Sequence, residues 1–243
     1  MSGLVWDEEG TRKFQNGLDH GVFYSYVSNE YTNGVAWNGL TGVDENPNGG
    51  EVSKIYADNG DYLSLTSVEE YGFSISAYDQ PIEFLRANGE ASLFGGISIG
   101  QQTRKRFGFS YRTLVKNDKG IQKAAYLIHL VYGCLASPSS RSNSTVNDSP
   151  EAQELSWEVS TTPALYTPKG NTAHVVINAD KLRKAGLLHV VRAIEEVIYG
   201  SGEEYPARLP SYDDLMALMS SDYLLDSNGA TIYDNKKLPV SSS

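Results

Sequence analysis

The sequence predicts a mainly β fold, antiparallel, with one flanking amphipathic helix. Three observations predict it. Most of residues 20–175 falls into short runs in which apolar and polar side chains alternate with period two. Clusters of Gly, Asn, Asp and Pro separate those runs at turn spacing. Beyond Asp180 the apolar positions switch to helical spacing. No strand–helix alternation and no internal repeat is present, which disfavours a doubly wound sheet.

The elements follow in order. Val22, Tyr24 and Tyr26 alternate with Phe23, Ser25 and Val27 as a first strand, and Asn29–Gly34 reads as a turn cluster. From Asn38 to Gly50 the chain is so rich in Gly, Asn, Asp and Pro that a long loop is expected, either a contact arm or a plain surface loop. Lys54–Ala57 and Tyr62–Ser67 are strands around an Asn59-Gly60 hairpin turn. In Tyr71–Tyr78, Phe73, Ile75 and Ala77 share one face, the half-buried antiparallel pattern. Gly95, Gly96 and Gly100 punctuate an apolar run and suggest a bulged or closely packed strand. Arg104–Thr113 alternates cleanly, placing Arg104, Arg106 and Arg112 on the face opposite Phe107, Phe109 and Tyr111. Ala125–Leu135 is apolar on both faces and is expected to be covered on both. A polar loop is expected over Ser137–Ser149, and Leu155–Ser160 and His174–Asn178 complete the strands.

The helix is expected over Lys181–Tyr199, with Asp180 as N-cap and Gly200 ending it. A short helix begins after Pro210, with Ser211 as cap and Asp213 and Asp214 in its first turn. This divides the chain into a β domain over residues 1–200 and a helix with a polar, frayed arm over residues 201–243.

Composition bounds the function. The 243 residues are 40% hydrophobic and 21% charged, ordinary globular material. A net charge of −10 argues against a dedicated nucleic-acid binder. A single cysteine, Cys134, excludes an intramolecular disulfide framework. Met1–Gly10 lacks the pattern of a secretory signal, so export is not expected, and no apolar run is long enough to suggest a bilayer span.

The search for chemistry returns little. His20, His129, His174 and His189 form no closely spaced ligand pair, so a zinc site could only be assembled from distant residues. His129 is expected to be a hydrogen-bonded core residue. The glycines near Gly95 precede no helix and make no phosphate cradle. Asp58-Asn59-Gly60-Asp61 begins like a calcium loop, but Tyr62 stands where an oxygen ligand belongs. Adjacent carboxylates such as Glu195-Glu196 point apart and make no acid–base pair. No catalytic, cofactor or metal residue is assigned.

Charge placement stands out. Residues 100–124 hold seven Lys or Arg against Asp118, a balance of +6, which leaves −16 for the rest of a chain of net charge −10. Such a stripe suits nucleic acid or an acidic patch on a neighbour. Sixteen tyrosines favour the neighbour, because tyrosine is enriched at protein interfaces.

Several blocks then resemble a known family. Gly34-Val-Ala-Trp37-Asn-Gly39-Leu, Tyr56-Ala-Asp58-Asn, and Glu69-Glu-Tyr-Gly-Phe-Ser-Ile-Ser-Ala-Tyr78 with Pro81 and Glu83-Phe84 are similar to the major tail protein of long-tailed, siphovirus-type bacteriophages. So are Gln102-Thr-Arg104-Lys-Arg-Phe-Gly108-Phe-Ser-Tyr111-Arg-Thr113, Ile128-His-Leu-Val-Tyr132-Gly and Ser156-Trp157-Glu-Val-Ser160-Thr-Thr-Pro163. The match runs in order over about Trp6–Tyr199 and thins beyond Gly200.

The resemblance implies an antiparallel β-sandwich or barrel-like tail tube fold that assembles as a hexameric ring, with rings stacked into a tube. It implies a structural virion protein of the tail, assembled in the host cytoplasm, with no enzymatic activity, no cofactor and no membrane partner. Its partners would be other copies of itself, the tape measure protein in the lumen, and the tail terminator and distal tail or baseplate proteins at the ends. DNA would pass through without being bound. Arg104, Arg106, Arg112, Trp37 and Asn38 are the expected subunit-interface residues. Two other classes stay open: a carbohydrate- or receptor-binding β-sandwich using Trp37 or Trp157 as a platform, and an enzyme with carboxylates drawn from separate strands.

Overall fold

A computed structural model describes residues 4, 6–57, 59–119, 125–139, 141, 143, 145, 152–202 and 205–219. Most of the polar loop over Ser137–Ser149 and all of the arm from residue 220 onward lie outside the described residues. The chain is mainly antiparallel β with a small helical layer, as the alternation predicts.

The strands are β1 (Lys13–Val27), β2 (Glu30–Ala36), β3 (Leu40–Glu45), β4 (Val52–Ala57), β5 (Gly60–Thr66), β6 (Gly72–Ala77), β7 (Ala91–Phe94), β8 (Ile97–Ile99), β9 (Phe107–Asn117), β10 (Ala125–Ala136), β11 (Leu155–Thr161) and β12 (His174–Asn178). The helices are α1 (Ala179–Lys184), α2 (Leu188–Tyr199) and α3 (Tyr212–Met219). One sheet runs β2-β1-β9-β10-β11-β6-β3, with β12 added on β10. The strand pairs β4–β5 and β7–β8 form separate hairpins.

The sheet forks at Gly133. That residue takes φ +64°, and the register between β9 and β10 shifts between Val131 and Cys134. Upstream of this bulge, β10 residues 127–131 pair with β12; downstream, residues 134–136 pair with β11. The β11-β6-β3 limb then folds back across β1 and β9. Trp37 N–H donates to Gly21 O, joining the chain just before β3 to β1.

Two cores result, one on each face of β1, β9 and β10. Phe23, Phe73, Ile75, Phe84, Phe107, Phe109, Val131 and Trp157 fill the space between the limbs. Val22, Tyr24, Ile128, Leu130 and Tyr132 point the other way and pack under α2 and α3. Period-two alternation makes this possible, because neighbours in one strand serve opposite cores. In α2, Val190, Val191, Ile194, Val197 and Ile198 face the sheet. Residues 207–218 contribute Ala207, Leu209, Leu215 and Leu218 to the same outer core, so the chain past Gly200 continues it.

The structure corrects several expected elements. The stretch Asn38–Gly50 is not a loop throughout: Leu40–Glu45 is a sheet strand whose Leu40 and Val43 pack on the inner core. The turn expected over Asn29–Gly34 contracts to Ser28-Asn29, both with positive φ, and β2 begins at Glu30. Gly95-Gly96 makes a hairpin turn, with φ +53° and +86°, and the irregularity of the strand falls just before it, where the register shifts between Ser92 and Phe94. The single helix breaks into α1 and α2 at Gly186, whose φ of +80° ends the helical path. Asn178 rather than Asp180 caps α1, accepting from Lys181 N–H. Around Ser211 the expected cap is present: Asp214 N–H donates to Ser211 Oγ, and Ser211 N–H donates to Asp214 Oδ2.

Candidate functional site

The hairpins β4–β5 and β7–β8 gather exposed apolar side chains on two projecting elements, beside single exposed ones elsewhere such as Trp6 and Ile82. Every residue of β4 and β5 is exposed, and β7 and β8 are exposed from Ser92 onward. Register puts Ile55 opposite Leu63 and Ser53 opposite Leu65, so Ile55, Leu63 and Leu65 line one face of the first hairpin. Its other face carries Lys54 and Tyr56, and Lys54 Nζ meets Asp61 Oδ2 at 2.9 Å. The second hairpin exposes Leu93, Phe94 and Ile97, with Phe94 75% exposed. A two-stranded hairpin is marginal in water and presents open edges. Among the described residues, the apolar side chains of both hairpins stay exposed.

The five residues expected at an interface are not brought together. Trp37 is 3% exposed, donates Nε1–H to Asp79 O, and sits between Phe84, Phe109 and Trp157. Asn38 is exposed at the turn before β3. The three arginines do not share a free strand face. Arg104 and Arg106 precede β9, which begins at Phe107. Arg104 Nη1 donates to Ala136 O at 3.1 Å, Ser137 O at 3.3 Å and Asn88 Oδ1 at 3.3 Å, tying the approach to β9 onto the end of β10. Arg112 makes a two-pronged pair with Asp19, Nε to Oδ1 at 2.6 Å and Nη2 to Oδ2 at 2.9 Å, and lies over the Tyr126 ring at 4.7 Å. That pair holds the Asp19 carboxyl below the usual carboxylate range, chiefly through the hydrogen bonds from Arg112. The alternation was legible, but the face opposite the aromatics is also covered, by the outer core. Arg106 and Lys105 remain exposed.

The platform reading of the tryptophans is likewise corrected. Trp37 and Trp157 are 3% and 5% exposed, and their rings pack on each other at 5.5 Å inside the inner core.

The fork assembles what sequence spacing did not bring together. His129 on β10 and His174 on β12 lie side by side, His129 Nδ1 to His174 Nε2 at 3.1 Å. Glu45, at the end of β3, brings Oε1 to 3.6 Å from His129 Nδ1. Tyr111 Oη donates to Glu45 Oε1 at 2.8 Å, and Thr113 Oγ1 meets His129 Nε2 at 3.0 Å. Tyr111 stacks on His129 and Tyr71 on His174. Burial pushes His129 down to about 4, with His174 adding to the effect and Glu45 opposing it; burial also lowers His174. As expected from the sequence, His129 is a buried, hydrogen-bonded residue. No local motif announced its partners, because they come from β3 and β12.

No family model matches the chain, and no curated protein matches it. Among solved structures, the cap that terminates the anti-feeding prophage tube, determined by cryo-EM, is similar over 74% of this chain and 97% of that one. The TM-score is 0.36 and the identity 9%, a level at which the likeness says nothing of what this chain does.

Proposed function

We propose that this protein is a structural subunit of a tubular phage tail that assembles with copies of itself into hexameric rings, which stack into a tube. The observation that carries the reading is the pair of exposed amphipathic hairpins. A ring of identical subunits needs two different patches on each copy, one meeting the other head to tail. The apolar face of Ile55, Leu63 and Leu65, and the cluster of Leu93, Phe94 and Ile97, are two such patches on separate arms. The sequence resemblance to major tail proteins names the kind of assembly, and the β-sandwich with a helical layer agrees with what that resemblance implies.

In this role the net charge has a use. Six copies carry 6 × (−10) = −60 per ring, and an acidic lumen would let DNA slide past rather than adhere. The tape measure protein would occupy that lumen during assembly, and terminator and distal tail proteins would close the ends. Tight binding to free duplex DNA is not part of this function.

Light scattering on the purified chain tests the reading. Wild-type protein should form species of at least six chains as concentration rises. The double variant Phe94→Ser/Ile97→Ser should remain a folded monomer. A wild type that stays monomeric at every concentration, or a variant that assembles like it, would overturn the proposal.

A further inference from the structure

We propose that Glu45, His129 and His174 form a binding site for one divalent transition-metal ion of the zinc type, which clamps the fork between β12 and the β11-β6-β3 limb. A four-coordinate zinc with bonds of about 2.0–2.1 Å holds its ligand atoms about 3.3 Å apart. Here His129 Nδ1 and His174 Nε2 are 3.1 Å apart, and Glu45 Oε1 is 3.6 Å from His129 Nδ1. The three ligand atoms all lie within 4.8 Å of one another. The histidine pair has the spacing of one tetrahedral shell, and Glu45 must move inward to complete it. The two ring planes are nearly parallel, at 14°, with centroids 5.3 Å apart.

The surrounding groups are those a metal site needs. A ligating histidine is held by a hydrogen bond on its other ring nitrogen, and a ligating carboxylate is itself hydrogen-bonded. Thr113 Oγ1 occupies that place on His129 Nε2, and Tyr111 Oη on Glu45. Stacking between Tyr111 and His129, and between Tyr71 and His174, holds both ring planes. The buried Tyr71 hydroxyl lies beside Tyr111 and Glu45, so the carboxylate sits in a polar, aromatic surround.

Two imidazoles and a single carboxylate favour zinc over magnesium, which prefers an all-oxygen shell. Glu45 is 43% exposed in its side chain, so the fourth position opens to solvent and the ion has a way in. The ion would join β3, β10 and β12 across the point where the Gly133 bulge parts them. This inference goes beyond the tail role and holds whether or not the chain assembles.

The test uses the untagged full chain, stripped with a chelator and titrated with Zn²⁺ by calorimetry, with thermal unfolding followed in Zn²⁺ and in Mg²⁺. The site predicts one Zn²⁺ per chain and a higher unfolding midpoint in Zn²⁺ than in Mg²⁺. His174→Ala and Glu45→Gln should each weaken binding more than about tenfold, and Tyr111→Phe, which keeps the ring and removes the hydroxyl that bonds the carboxylate, by about tenfold. Circular dichroism establishes that each variant is folded. Should His174→Ala fail to fold, the Glu45 and Tyr111 variants decide. No heat of Zn²⁺ binding in the wild type, or full Zn²⁺ affinity in the folded variants, would overturn the site.

Discussion

Arg104 and Arg112 lie in one alternating stretch, yet both are held within the chain rather than presented to a partner. Arg104 serves two carbonyls at the end of β10 and the Asn88 side chain before β7, so Arg104→Ala removes a charged donor from two carbonyls and an amide oxygen. It should cost about 1–3 kcal/mol of monomer stability in urea denaturation. Arg106→Glu, at an exposed position, should change stability by less than about 0.5 kcal/mol in the same measurement. The Asp19–Arg112 pair makes a further prediction. The Asp19 carboxyl is lower in the folded chain than in the unfolded one, so its contribution is fully present above the ordinary carboxylate value of 3.8. It is lost as pH falls through the lowered folded value. Urea midpoints measured down the acid range should fall more steeply in wild type than in Asp19→Asn; parallel curves would show the pair adds nothing. Alternation revealed that Phe107, Phe109 and Tyr111 go inward together. It could not reveal that α2 covers the opposite face, because period two separates the faces of a strand without saying what lies over each.

Hairpins and bends were legible where turn chemistry is distinctive. Asn59-Gly60 announces the β4–β5 hairpin, since Asn59 takes φ +60° there. Gly95-Gly96 was read within a bulged or closely packed strand because a short apolar run on each side of two glycines fits that as well as a hairpin. Strand β3 was hidden by the Gly, Asn and Pro around it; Leu40 and Val43 are too few to display a period until β6 supplies the partner. The fork was invisible for a related reason: Gly133 sits in the most apolar strand, and only tertiary pairing makes it the point where two strands share one edge. There an added Cβ would collide with Thr162 O while φ stays at +64°. Gly133→Ala should therefore cost more than about 2 kcal/mol in urea denaturation, a far larger effect than Gly→Ala at exposed Gly60, where nothing lies within 4 Å. Equal costs at the two glycines would show that the bulge is not held by this contact.

At the scale of the whole molecule, one chain buries two cores yet leaves two arms exposed. Exposed apolar residues scattered singly are ordinary, whereas exposed apolar clusters on projecting hairpins are the kind of surface the proposed assembly would use. Composition and the +6 stripe pointed to self-association through Arg104, Arg106 and Arg112, of which the fold uses Arg104 and Arg112 internally and leaves Arg106 exposed. In the proposed assembly the hairpins are the better-placed contacts, because their apolar side chains stay exposed among the described residues. Negative-stain electron microscopy of the purified protein is the most direct measurement. Rings with six-fold symmetry that stack into hollow tubes, absent from Phe94→Ser/Ile97→Ser, are the result this account predicts. Uniform single particles of one chain at high concentration, the same for wild type and variant, would contradict it.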